Sequence, residues 1–373
     1  MKRGLFVLIA SSIFFIGLLM VFNASSAEIL NRHLNKNLHF ASIKQILCAL
    51  IGIGLGFFAY KLGYAWFLKY SGHLMVLSTL LLILVFVPKI GVCINGGHRW
   101  IRLLGFSFQP SELIKCFMPL HAIFFIHKEK YTFMSFFRRM SLFCIPVLLI
   151  FIEPDNGTVF ILVLLMVATF FLTRVPARFW LLPLCVAMIC GGILIARMPH
   201  ARARVQVYLN PELDLRGKGH QPYQAKIAMG SGGLFGKGLS HSFQKLEYLP
   251  EAQNDYIAAI FAEEFGFFGI SLLLVFYLLL SMFGFLIAQS APDKKGFQVA
   301  SVLTFTLLIQ VFLNLGVVSN LLPSTGINLP LFSQGGTSIM VTCLMIGLIL
   351  SCDPNAKPVD LKPWLKKTKF SLR

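Results

Sequence analysis

Six charged side chains crowd one short segment of an otherwise apolar chain. His241–Gly269 reads HSFQKLEYLPEAQNDYIAAIFAEEFGFFG and carries Lys245, Glu247, Glu251, Asp255, Glu263 and Glu264 between two membrane-grade stretches. Charge at a membrane boundary is costly to place and marks substrate or ion paths. Asp255, immediately ahead of an apolar run, has two readings. A carboxylate there caps a helix N-terminus, and a carboxylate in a cleft takes a proton from a hydroxyl as general base. The helix dipole favours its charged form and burial its neutral form. On residue type and position alone, the cap is the preferred reading.

Other polar residues break the apolar pattern. Arg99 and Arg102 can grip phosphate through forked hydrogen bonds or serve as surface cations, and Trp100 reads as an interfacial aromatic anchor. Glu112 and Lys115 stand at i,i+3 and predict an ion pair within one helical turn, with Lys115 also open to a phosphate. Arg202 and Arg204 begin a long loop and offer the same phosphate chemistry. Asp155, in the Pro154–Gly157 turn, predicts a turn cap rather than a catalyst. Ser333, Thr337 and Ser338 flank a stretch broken by Pro and Gly, where they predict hydrogen bonds to substrate or to freed backbone. The Gly230–Gly238 cluster is not a phosphate loop, because Gly238 follows Lys237 and no strand precedes it. Its glycines permit close backbone turns.

These residues need a scaffold, and composition says which. Of 373 residues, 57% are hydrophobic and 13% charged, with a mean hydropathy of +0.76. A bilayer core about 30 Å thick takes roughly 20 apolar residues per helix. About ten spans follow: Gly4–Phe22, Ile43–Tyr60, Tyr70–Val87, Ser111–Ile126, Ser141–Ile152, Gly157–Thr173, Phe179–Ala196, Tyr256–Ala288, Phe297–Val318 and Gly336–Cys352. The fifth is short and calls for extension by its flanks. The eighth is long, with Gly266 and Gly269 as candidate bends. No run alternates as a barrel strand would, so the expected fold class is an all-α polytopic membrane protein. Residues 1–352 form one membrane domain and 353–373 a basic tail, with a long loop over 197–255.

Basic residues set the orientation. About 18 Lys and Arg lie on the side that holds Lys2 and Arg3, against about 6 in the opposite short loops. Both termini are therefore expected in the cytoplasm and the 197–255 loop outside. Orientation accounts for more than half of the basic residues, and no nucleic-acid motif accompanies the net charge of +18. The tail suits anionic lipid. The first apolar run lacks a small-residue cleavage site and reads as a retained helix. The eight cysteines are scattered without CxxC pairs, which gives neither a disulfide framework nor a zinc site.

Six motifs in order carry a resemblance. They are Gly96-Gly97-His98-Arg99-Trp100-Ile101 with Gln109-Pro110-Ser111-Glu112 and Lys115; Glu153-Pro154-Asp155-Asn156-Gly157-Thr158; Gly230-Ser231-Gly232-Gly233 with Gly236 and Gly238; Tyr248-Leu249-Pro250-Glu251 with Asp255; Ala262-Glu263-Glu264; and Leu322-Pro323, Gly326, Leu329-Pro330 with Ser333-Gln334-Gly335-Gly336-Thr337-Ser338. In this order they resemble the SEDS (shape, elongation, division and sporulation) family of wall polymerases over nearly the whole chain. QKLEYLPEA favours the FtsW-type division branch over the RodA-type elongation branch. Glu153 departs from the family's usual Gln, Asn156 from Leu and Gln334 from Tyr.

The resemblance implies a peptidoglycan glycosyltransferase of the bacterial cytoplasmic membrane at the division site. Such an enzyme polymerises lipid II, a disaccharide-pentapeptide on undecaprenyl pyrophosphate, at the outer face. It makes Asp255 the base and outweighs the cap reading. Substrate-binding candidates are Arg99, Trp100, Lys115, Arg202, Arg204, Lys245, Glu251, Ser333 and Ser338. Glu112 reads as the structural partner of Lys115. The implied partners are a class B penicillin-binding transpeptidase, whose transmembrane helix would pack on spans eight and nine, and other division proteins. No cofactor is required by the sequence, although Mg²⁺ or another divalent cation could screen pyrophosphate. A lipid II flippase is the rival reading. A transporter would show inverted repeats and midplane charge, whereas the informative groups here cluster on the outer side.

Overall fold

Long apolar runs satisfy their own backbone hydrogen bonds only as helices, and helices dominate the computed structural model. It describes residues 1–31, 38–94, 97–103, 106–128, 132–197, 206–209, 217, 219–246, 249 and 252–356. In chain order these form α1 (Lys2–Asn31), α2 (Phe40–Leu62), α3 (Tyr64–Val85), β1 (Gly91–Ile94), β2 (Gly97–Leu103), β3 (Phe106–Phe108), α4 (Pro110–Lys128), α5 (Phe133–Ile152), α6 (Asn156–Leu172), α7 (Ala177–Arg197), α8 (His220–Ser231), α9 (Ile257–Gln289), α10 (Lys294–Val318) and α11 (Gly336–Ser351). Six of them, α1, α2, α3, α5, α9 and α10, are long and apolar enough to cross a membrane, and α6, α7 and α11 carry shorter apolar helices.

Each predicted span falls on a helix. The short fifth starts earlier, at Phe133, where Thr132 and Ser135 form a reciprocal capping box. The third also starts earlier, at Tyr64, because Gly63 at φ 78° breaks the chain after α2. The helical fold carries one addition that the sequence did not announce, a small sheet. Between α3 and α4, β1, β2 and β3 pair antiparallel in chain order, with Val92 opposite Trp100 and Arg102 opposite Ser107. Strands this short leave little alternation to read.

α9 is bent at Gly266 (φ 69°, ψ −164°), one of its two predicted bends. A break in a membrane helix frees backbone groups that need partners, and the glycine-rich segment after α8 supplies them. Lys237 N–H donates to the Glu263 carbonyl at 3.0 Å and Gly238 N–H to that of Glu264 at 2.9 Å. Beyond the bend, Phe267 N–H donates to the Gly233 carbonyl at 2.9 Å. So close an approach needs glycine. A Cβ at Gly266 would fall 2.6 Å from the Leu234 carbonyl oxygen.

The termini mark one end of the bundle. Lys2 Nζ donates to Ser290 Oγ at 2.9 Å, and Arg3 pairs with Asp353 at 3.7 Å. The sheet, the α5–α6 turn and the linker from Ser319 to Gly335 gather with the start of α9 elsewhere, joined by the contacts described next. That linker is held from several sides. Tyr277 Oη donates to the Pro330 carbonyl at 2.7 Å, and Phe332 packs edge-on against Phe261. Gln45 Nε2 donates to the Ser333 carbonyl at 3.0 Å.

Candidate functional site

Three segments distant in sequence meet at Gly326. A Cβ built there would lie 3.4 Å from Asp255 Oδ2 and 3.9 Å from Arg99 Nη1, so a carboxylate and a guanidinium face one point. Arg99 projects from β2 and is fixed by its fork. Its Nε donates to the Glu153 carbonyl at 3.1 Å and its Nη2 to the Pro154 carbonyl. Nη1 is the part of the fork that reaches Gly326. Asp255 is half-buried and sits one residue before Tyr256, which holds the N-cap position of α9. The sequence-based capping position is thus shifted by one residue. Asn314, on α10, staples the site with one amide, donating to the carbonyls of Asp255 at 2.8 Å and Ile327 at 2.7 Å.

The α5–α6 turn forms the neighbouring wall. Asp155 caps α6, as its turn predicts: it accepts from Thr158 N–H at 3.2 Å and Thr158 Oγ1 at 2.8 Å. Gln109 Nε2 also donates to it, at 3.3 Å. Glu153 is fully buried, and neither of its carboxyl oxygens has a hydrogen-bond partner. Burial pushes its pKa up to about 8, helped by the Asp155 carboxylate and opposed by the Arg99 cation. Its carboxyl is therefore largely neutral at pH 7.

The remaining candidates distribute unevenly. Trp100 follows Arg99 on β2 and is half-buried; strand alternation turns it to the opposite face. Lys115 is buried and bonds Glu112 at 2.6 Å, the i,i+3 pair that the spacing predicts. Lys245 is buried in a pair with Glu264 at 2.7 Å and also donates to Asn23 Oδ1 of α1 at 2.7 Å. Ser333 Oγ accepts from Leu329 N–H at 2.9 Å and so holds the linker's own turn. Ser338 is buried in the first turn of α11. Beside it, Thr337 Oγ1 accepts from Gln109 N–H at 3.0 Å and ties α11 to the start of α4. Arg202, Arg204 and Glu251 lie outside the described residues. Sequence reasoning gave no role to Asn314, Gln109 or the Glu153 carboxyl. A lone Asn or Glu within or against apolar helices is the signal that could have found two of them.

Fold and site together define a multi-pass helical membrane protein with a carboxylate and a guanidinium brought together where the sheet, a helix turn and a broken linker converge. A family model described as "Cell cycle protein", covering FtsW, RodA and SpoVE, matches residues 3–357, and the chain belongs to that family. It is 37% identical to Stage V sporulation protein E of Bacillus subtilis over 93% of this chain and 95% of that one. It is 36% identical to the probable peptidoglycan glycosyltransferase FtsW of Thioalkalivibrio sulfidiphilus over 90% and 85%. Among solved structures, a chain from work titled "Structural coordination of polymerization and crosslinking by a peptidoglycan synthase complex" superposes at TM-score 0.72, with 25% identity over 93% of this chain and 96% of that one. The Rod shape determining protein RodA of Thermus thermophilus superposes at 0.64, with 26% identity over 93% and 94%.

Proposed function

We propose that the protein is a peptidoglycan glycosyltransferase that joins lipid II into glycan strands at the outer face of the bacterial cytoplasmic membrane during septal wall synthesis. The observation that carries this reading is the convergence of Asp255 Oδ2 and Arg99 Nη1 on Gly326. Asp255 takes the proton from the acceptor sugar's hydroxyl while that oxygen attacks the donor's anomeric carbon. The bond from that carbon to the pyrophosphate oxygen breaks, and the leaving group departs with the electron pair. Arg99, rigidly forked onto two carbonyls, offers its remaining face to the charge that develops there. Trp100, on the face of β2 opposite Arg99, supports a lipid head group, and Arg202, Arg204, Glu251 and Ser338 orient substrate. Lys115, Lys245 and Ser333 serve the site by holding its walls. A divalent cation would arrive with the pyrophosphate it screens, since among the described residues no three His, Cys, Asp or Glu side chains are grouped to hold one.

The relatives named FtsW support the division branch. The synthase-complex neighbour supports a class B penicillin-binding transpeptidase as partner. Its transmembrane helix would rest on the exposed apolar faces of α9 and α10, where Phe267, Phe268, Leu272 and Phe312 lie. The purified chain in liposomes is expected to make glycan from lipid II, and D255N to make less by a factor on the order of 10² or more. Undiminished polymer from well-folded D255N would end the assignment.

A further inference from the structure

Around the α5–α6 turn the protein buries more hydrogen-bonding capacity than it satisfies. Besides both Glu153 oxygens, Asn156 Oδ1 and Thr325 Oγ1 are buried without partners. These residues adjoin one another. Glu153 and Asn156 flank one turn, and a Cβ at Gly157 would lie 3.0 Å from that of Thr325. The charged groups acting on Glu153 are committed elsewhere. Arg99 forks onto the main-chain carbonyls of Glu153 and Pro154, and Asp155 is held by Thr158 and Gln109. Unsatisfied buried polar groups call for a specific reason. Thr325 directly precedes Gly326, the point faced by Asp255 and Arg99. The unsatisfied atoms therefore border the proposed reaction site.

We propose that Glu153, Asn156 and Thr325 form a specificity subsite for a hydroxyl or acetamido group of the sugar presented to Asp255. Such groups both donate and accept. The two amide or hydroxyl oxygens accept from them, while a neutral carboxyl, like an amide, both donates and accepts. The inference rests on the glycosyltransferase reading, and its test separates the two. Polymerisation kinetics of the full chain in liposomes would compare wild type with E153L, E153Q, N156L and T325V. The expected result is that E153L raises KM about tenfold, the worth of one hydrogen bond, with little change in kcat. E153Q should recover most of that loss, and N156L and T325V should raise KM by smaller factors. If E153L does not fold, N156L and T325V carry the test, since each removes one buried oxygen while keeping the number of side-chain heavy atoms. The same KM changes are expected with a lipid-linked disaccharide that lacks its peptide; changes confined to the peptide-bearing substrate would overturn the sugar assignment. Wild-type KM in all folded variants would overturn the subsite and leave the polymerase reading standing. A wild-type chain that makes no polymer would instead remove the reading beneath it.

Discussion

The Glu153 carboxyl holds its proton up to about pH 8 in the folded protein, against 4.5 for an unperturbed glutamate. Between those values the native state binds a proton that the unfolded state has released, so stability falls as pH rises and levels off above about 8. The melting temperature of wild type relative to E153Q is therefore expected to drop by about 3 °C or more between pH 5 and 8.5. A difference that stays flat would show that burial does not govern this group. At Arg99 the geometry forbids a simple exchange of cations. Lysine cannot reproduce a planar fork that grips the Glu153 and Pro154 carbonyls while reaching Gly326. R99K should cut turnover by about tenfold or more at saturating substrate, measured as strand synthesis; near-normal turnover would mean that positive charge alone suffices there.

At the scale of elements, α9 and the segment after α8 behave as one piece. Glu263 collects Lys237 Nζ at 2.7 Å, Ser242 Oγ at 2.5 Å and the Phe243 and Gln244 N–H groups at 3.2 and 3.3 Å. Glu264 collects Lys245 and Asn23. Removing one member of a buried pair leaves the other charge unpaired, so K245M should destabilise the fold by about 3–5 kcal/mol, seen in thermal unfolding in detergent. An unchanged melting temperature would show that the pair adds nothing. The ten apolar runs were legible because length and composition alone require helices. The Gly266 bend was legible because glycine inside a long run weakens it. The pairing of Lys245 was not legible because its partner Glu264 lies 19 positions on, just ahead of that bend, with Asn23 a further contact from α1. Asp155 was read correctly because its capping partner, Thr158, is local. The meeting of Arg99 with Asp255 is a tertiary event between distant segments, which no local pattern announces, and only the resemblance placed both in one site. The three strands were too short to register.

For the whole molecule, Arg3 beside Asp353 and Lys2 beside Ser290 hold the first residues and the end of α11 on one side of the bundle. On the charge bias, that side is the one expected in the cytoplasm. In a background stripped of native cysteines, F243C should react with an impermeant maleimide added to intact cells, and K295C only after the membrane is opened. The reverse pattern would invert the topology and remove the proposed site from the wall. The length of α11 carries one more consequence. Sixteen residues rise about 24 Å, short of a bilayer core of about 30 Å, and the folded linker that precedes it meets Asp255 at Gly326. On the proposed reading, the sugars need not be hoisted into open water to react. They meet their catalyst at head-group depth, with the isoprenoid tails still dissolved in lipid, so that elongation proceeds without extracting either anchor.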